Sequence, residues 1–173
     1  MPQPLDQIAK GIEAKRAELI SALRGLDSRQ TMQSPGEDQW NAAQVVDHLL
    51  LAEGFTNDIT TMLVNKARAD GESAGFPPDL DAFEPLPPPI SLEAPPPIRS
   101  RQELPSEELI ASLTEMSVRT HASFEALATV DPRKYRMAHP LFGELDLGQW
   151  WMVHPGHYEM HIMQAQAALA PKS

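Results

Sequence analysis

Asn41-Ala42-Ala43-Gln44-Val45-Val46-Asp47-His48-Leu49 opens the stretch whose reading decides the fold. The Asn41 side chain is placed to cap a helix while Gln44, three residues on, reaches back to it, which makes a capping box. From there Val45, His48, Ala52, Phe55, Ile59 and Met62 recur at helical period and form one seam. His48 occupies a seam position otherwise filled by apolar groups.

Three further segments share that period. Before it, Leu5, Ile8, Ile12, Leu19, Leu23 and Leu26 form the stripe of a helix over about 5–26. After it, Ser106 reads as the N-cap of a third helix, with Glu107 and Glu108 set against the positive end of its dipole. The stripe of that helix is Leu109, Leu113, Met116, Thr120, Phe124 and Leu127. Asp146, again with a glutamine three residues on (Gln149), caps the fourth helix. Its stripe is Leu147, Trp150, His154, His157, His161, Gln164 and Ala168. No segment alternates as a strand does. Four amphipathic helices without strands predict an all-α four-helix bundle, one domain over residues 1–173.

Residues 67–104, between the second and third helices, hold nine of the 17 prolines. The runs Pro87-Pro88-Pro89 and Pro95-Pro96-Pro97 are unsuited to a helix interior and favour extended, polyproline-like backbone. The segment reads first as a long crossover along the bundle, with a lid or a partner-docking strap as the alternatives.

A chain of 173 residues suits one domain with a substantial core, and 42% apolar content is too high for a disordered protein. No apolar run approaches the ~20 residues of a membrane span. Met1-Pro2-Gln3-Pro4 lacks a signal-peptide pattern, so a cytoplasmic protein is expected. The net charge of −10, without an extended basic cluster, disfavours a nucleic-acid partner, which needs a basic footprint. With no cysteine, the chain has no disulfide, thiolate ligand or cysteine nucleophile. Any thiol chemistry uses a thiol brought from outside.

The candidate chemistry lies with histidine. His157 and His161 stand about 6 Å apart along one helix face, so their ring nitrogens can converge on an ion ~2.0–2.1 Å from each. His154 shares the face but lies about 10 Å along the axis from His161, which suits a pocket-lining or supporting group better than a ligand. The rival reading is a set of core histidines, each satisfied by its own hydrogen bond. Trp150, Trp151 and Tyr158 are core or pocket residues; His121 is a boundary residue, and His139 packs a loop. Arg119, Lys134 and Arg136 are either contacts for a substrate carboxylate or solvated surface charges. Glycine-rich phosphate loops, the Gly-x-Ser-x-Gly elbow and paired carboxylates are absent. In His157-Tyr158-Glu159-Met160-His161 the glutamate points away from both histidines, unlike the zinc-protease arrangement.

Trp40 through Leu49, together with His139-Pro140-Leu141-Phe142-Gly143-Glu144-Leu145-Asp146-Leu147-Gly148-Gln149-Trp150 and the pair His157 and His161, resembles the DinB/YfiT-like superfamily. The resemblance spans essentially the whole chain. It implies a four-helix bundle, often homodimeric, in which one histidine of the second helix and two of the last hold a divalent metal ion such as Zn²⁺ or Ni²⁺. Carried over by motif, these are His48, His157 and His161, with Trp150, His154 and Tyr158 around them. Two departures stand out. Tyr158 and Met160 replace residues that are commonly glutamate and arginine in the family, and Pro155-Gly156 is expected to kink or bulge the last helix before His157. The resemblance further implies a metal-dependent transferase acting on a low-molecular-weight thiol such as bacillithiol, mycothiol or glutathione. A metal-dependent hydrolase and a non-enzymatic metal- or ligand-binding bundle are the alternatives.

Overall fold

The computed structural model describes residues 1–88, 94–100 and 102–170. Four long helices, α1 (Gln3–Leu23), α3 (Ala42–Ala69), α4 (Ser106–Leu127) and α5 (Leu147–Leu169), build a four-helix bundle. A one-turn helix, α2 (Ser28–Thr31), lies between the first two. α3 packs against α4 and α5, and α1 packs against the same two, so α1 and α3 face each other across the diagonal. Capping boxes at Asn41 and Asp146 start α3 and α5 as their sequences require. Ser106 does not cap α4: it is the first helical residue, and its hydroxyl donates to the Leu26 carbonyl at 2.6 Å. That bond belongs to the turn beyond α1, which stops at Leu23 and reverses at Gly25 with φ +80°, leaving Leu26 outside the helix.

The core draws on every long helix, with Leu5, Ile12, Leu49, Leu113, Phe124 and Trp151 all fully enclosed. Within the expected seam of α3, Val45, His48, Ala52 and Ile59 are buried, but Phe55 and Met62 are 37% and 53% exposed. No helix among the described residues is long and apolar enough to cross a membrane.

The helix-only expectation missed a hairpin. β1 (Arg136–His139) pairs antiparallel with β2 (Gly143–Asp146), closing at His139↔Gly143, where Gly143 takes φ +71°. Four residues per strand are too few to show a period-two pattern, and the hairpin leans on α5 for support. The Leu147 amide donates to the Tyr135 carbonyl at 3.0 Å, and the Trp150 indole donates to the Met137 carbonyl at 3.3 Å.

α3 continues to Ala69, so the crossover begins later than its sequence limit. Phe76 and Phe83 are buried in it and pack together at 5.4 Å between ring centroids. Phe83 lies so close over Gly148, in the first turn of α5, that a Cβ there would overlap its ring. Farther along, Pro96–Ile98 forms a 3₁₀ turn, a correction to the extended expectation. Pro96 and Pro97 fit there because the first positions of a helix need no amide hydrogen. Pro89, the end of the earlier proline run, lies outside the described residues.

Candidate metal centre

His48 comes from the second turn of α3, and His157 and His161 from successive turns of α5, the neighbour against which α3 packs. The capping box at Asn41 fixes where α3 begins, and that start turns His48 toward α5. The helix does not break at Pro155-Gly156, where a kink or bulge is expected: α5 is helical from Leu147 to Leu169 with Pro155 inside it, and His157 reaches the other two rings. Pro155 faces α1 at Gly11, where a Cβ would stand 3.4 Å from the proline ring.

The three rings form a tight group, with centroids 4.6 to 5.0 Å apart. One nitrogen from each lies within 4.8 Å of the other two, and the ε nitrogens of His48 and His157 are 3.1 Å apart. Ligand atoms on a tetrahedral ion at ~2.0–2.1 Å would stand about 3.3–3.4 Å apart, so this pair is already near ligand spacing.

The outer ring nitrogens explain how the inner ones are set. His48 Nδ1 donates to the Ile98 carbonyl at 2.6 Å, and His161 Nδ1 donates to Gln164 Oε1 at 2.8 Å. With Nδ1 carrying the hydrogen in each neutral ring, Nε2 is left as a lone pair. Burial holds all three rings below the usual histidine range. It takes His161 to about 4, and the neighbouring rings push His157 down further. At neutral pH the group is therefore three unprotonated imidazoles, the state in which histidine binds metal. Without an ion, His157 Nε2 can donate to the His48 Nε2 lone pair across the same 3.1 Å, so these two rings also satisfy each other. The donor set fits a divalent ion.

Two cavities adjoin the group and share His157, Met160, Leu141, Ile98 and Pro95 in their walls. The first, about 540 Å³, contains His48, His161, Trp40, Asp38, Gln39 and Gln164. The second, about 550 Å³, runs along α5 to the hairpin and includes His154 and Trp150. His154 bonds Thr56 Oγ1 through Nε2 at 2.9 Å and stands apart from the three grouped rings. Tyr158 lines neither cavity. It points into the bundle centre, where its hydroxyl donates to Glu53 at 2.6 Å. His139 does more than pack a loop: its ring lies 4.4 Å from Trp150 and lines the second cavity. Arg119 pairs with Asp58, Lys134 with Glu72, and Arg136 bonds the Glu144 carbonyl, which makes all three surface contacts.

Sequence reasoning missed the groups that orient the site. Ile98 acts through a main-chain carbonyl, which leaves no mark in composition, and Gln164 had been read only as a stripe position. It also missed a buried polar cluster across the diagonal. Arg16 Nη2 and Thr120 Oγ1 each donate to Glu53 Oε1 at 2.5 Å, and Tyr158 donates to Oε2. Burial opposes the Arg16 charge, yet Glu53 and its neighbours raise the guanidinium above its ordinary value.

The DinB superfamily model matches residues 12–165. Among solved structures, the chain is similar to TT2238, described as a four-helix bundle protein, at 24% identity and a TM-score of 0.61. That match covers 94% of this chain and 98% of the other, and it speaks to the fold alone. No curated protein matches the chain.

Proposed function

The chain belongs to the DinB superfamily, and from that premise we propose that His48, His157 and His161 hold a divalent metal ion, Zn²⁺, Ni²⁺ or similar, in a transferase that uses a low-molecular-weight thiol. One observation carries the reading: three neutral imidazoles from two helices crowd together, two of them held by Ile98 and Gln164 with a lone pair at Nε2. An all-imidazole donor set suits Zn, Ni, Cu and Fe, and three protein ligands leave room for an exogenous one. When bound, such an ion would lower the pKa of a coordinated thiol, ~8.5 when free, so that its proton is lost to solvent and the thiolate is held. The protein's part is to hold the ligands, to cover them with Trp40 and the Ile98 turn, and to offer a cavity on either side for two reactants.

Transfer is favoured over hydrolysis because, Asp38 in the wall of the first cavity apart, the nearby carboxylates are poorly placed as bases. Glu53 is enclosed and engaged by Arg16, Thr120 and Tyr158, and Glu159 faces outward beside Lys15. A homodimer is the assembly proposed from the same family, and light scattering of the purified chain reads it directly.

Elemental analysis of wild type and His48→Ala tests the site. Metal in the first and none in the second, with unchanged circular dichroism, is the expected result. Metal-loaded protein is then assayed with bacillithiol, mycothiol and glutathione against several electrophiles, beside a family transferase as positive control. Absence of conjugation while the control works rejects the transferase reading.

A further inference from the structure

The two cavities at the histidine group differ in chemistry. The first has Asp38, Gln39 and Gln164 in its wall, whereas among the described residues the second is lined by no aspartate, glutamate, lysine or arginine. Aromatic rings set its shape: Trp150 lies 5.8 Å from Phe55 and 4.4 Å from His139, which in turn is 5.1 Å from Phe142. These rings are tilted by 47–55° to one another, so they offer both faces and edges to an inserted ring. The cavity also accounts for an anomaly of the surface. Phe55, Leu86 and Met160 are all large apolar side chains left 36–50% exposed, and all three line it. A volume of about 550 Å³ is that of a small-molecule site.

We propose that this second cavity binds an uncharged, largely apolar small molecule with a planar aromatic portion, and that it seats the electrophile of the thiol transfer. The binding stands by itself; the electrophile's role rests on the thiol-transfer reading. His157 and Met160, common to both cavities, mark where the two reactants would meet, the polar thiol entering from the Asp38 side.

Isothermal titration of the metal-free full chain with 2-naphthalenemethanol, and separately with 2-naphthoate, tests it. Saturable one-to-one binding of the alcohol is expected. The carboxylate should bind at least about tenfold more weakly, since its charge would lose water and find only neutral groups among the described lining residues. Gly156 lines the cavity, and a Cβ there meets nothing within 4 Å. Gly156→Phe should therefore fill the space and weaken the alcohol by about tenfold or more, and loss of a helix glycine favours folding. Ala138→Trp, from the hairpin wall, repeats the test should the first variant fold poorly. No saturable binding of the alcohol, equal affinity for the two probes, or wild-type affinity in both filled variants overturns the proposal. Metal uptake without alcohol binding removes this inference and leaves the metal site. Alcohol binding by a chain that takes up no metal keeps the apolar site and removes its role in transfer.

Discussion

Replacing Arg16 by methionine sets the buried polar cluster against the rest of the core. Arg16 is 1% exposed and Glu53 not at all, and the pair spans the bundle diagonal between α1 and α3. Methionine is long and adaptable enough to fill most of the vacated space, so the cavity contribution is small. What remains is an enclosed carboxylate with only the Thr120 and Tyr158 hydroxyls as donors. Breaking a buried ion pair from one side costs about 3–5 kcal/mol. With an m-value of ~2 kcal/mol/M, the urea midpoint at pH 7 should fall by roughly 2 M. Adding Glu53→Gln removes the stranded charge, keeps an acceptor for one hydroxyl and offers an amide N–H to the oxygen of the other, so the double variant should recover at least half of the loss. Urea unfolding followed by far-ultraviolet circular dichroism measures all three proteins. A loss below about 1 kcal/mol for Arg16→Met, or a double variant no more stable than the single, refutes the cost assigned to the pair.

Three other tests follow from separate contacts. Gln164→Leu removes the acceptor for His161 Nδ1 and should weaken metal binding about 10–100-fold in a chelator competition, with the fold intact because Gln164 is exposed. Burial lowers His154 to about 4, so its contribution to stability is complete above the unfolded value near 6.5 and is lost as pH falls from there toward 4. Its full size is about 3 kcal/mol. In the presence of a chelator, His154→Gln should lose stability less steeply than wild type between pH 7 and 5, and parallel curves would count against the assignment. Gly148→Ala gains helix propensity but pushes on Phe83, so a net loss of about 1–3 kcal/mol is expected on thermal or urea unfolding; a gain would show that Phe83 yields freely.

The parts legible in sequence were those written in local repeats. Asn41 with Gln44 and Asp146 with Gln149 announced two helix starts, and both capping boxes formed. His48 was visible as a polar residue in an apolar seam, and His157 with His161 as a pair one turn apart. Arg16 carried the same signal, lying four after Ile12 and three before Leu19, but a lone charge in a stripe does not name its partner. Glu53 follows Ala52 on a face of α3 wider than a narrow seam, and Tyr158 was judged by its nearness in sequence to the histidines. Its side chain turns the other way, about 100° around the helix from His157. The hairpin was too short for periodicity to register. Pro155 signalled a kink or bulge, and α5 runs on through it as one helix with the proline ring set against Gly11.

The Ile98 carbonyl bonded to His48 ties the bundle's chemistry to the connection between helices. An engineer trimming this protein to its four rods would discard residues 70–104 as spare length. The rods would lose Phe76 and Phe83 from their core, while both α5 histidines would stay one turn apart on their helix. His48, however, would be free to carry its hydrogen on either nitrogen, and the walls built from Pro95 and Ile98 would be gone. The stretch that looks most dispensable for architecture is the one that such a miniaturisation has to keep.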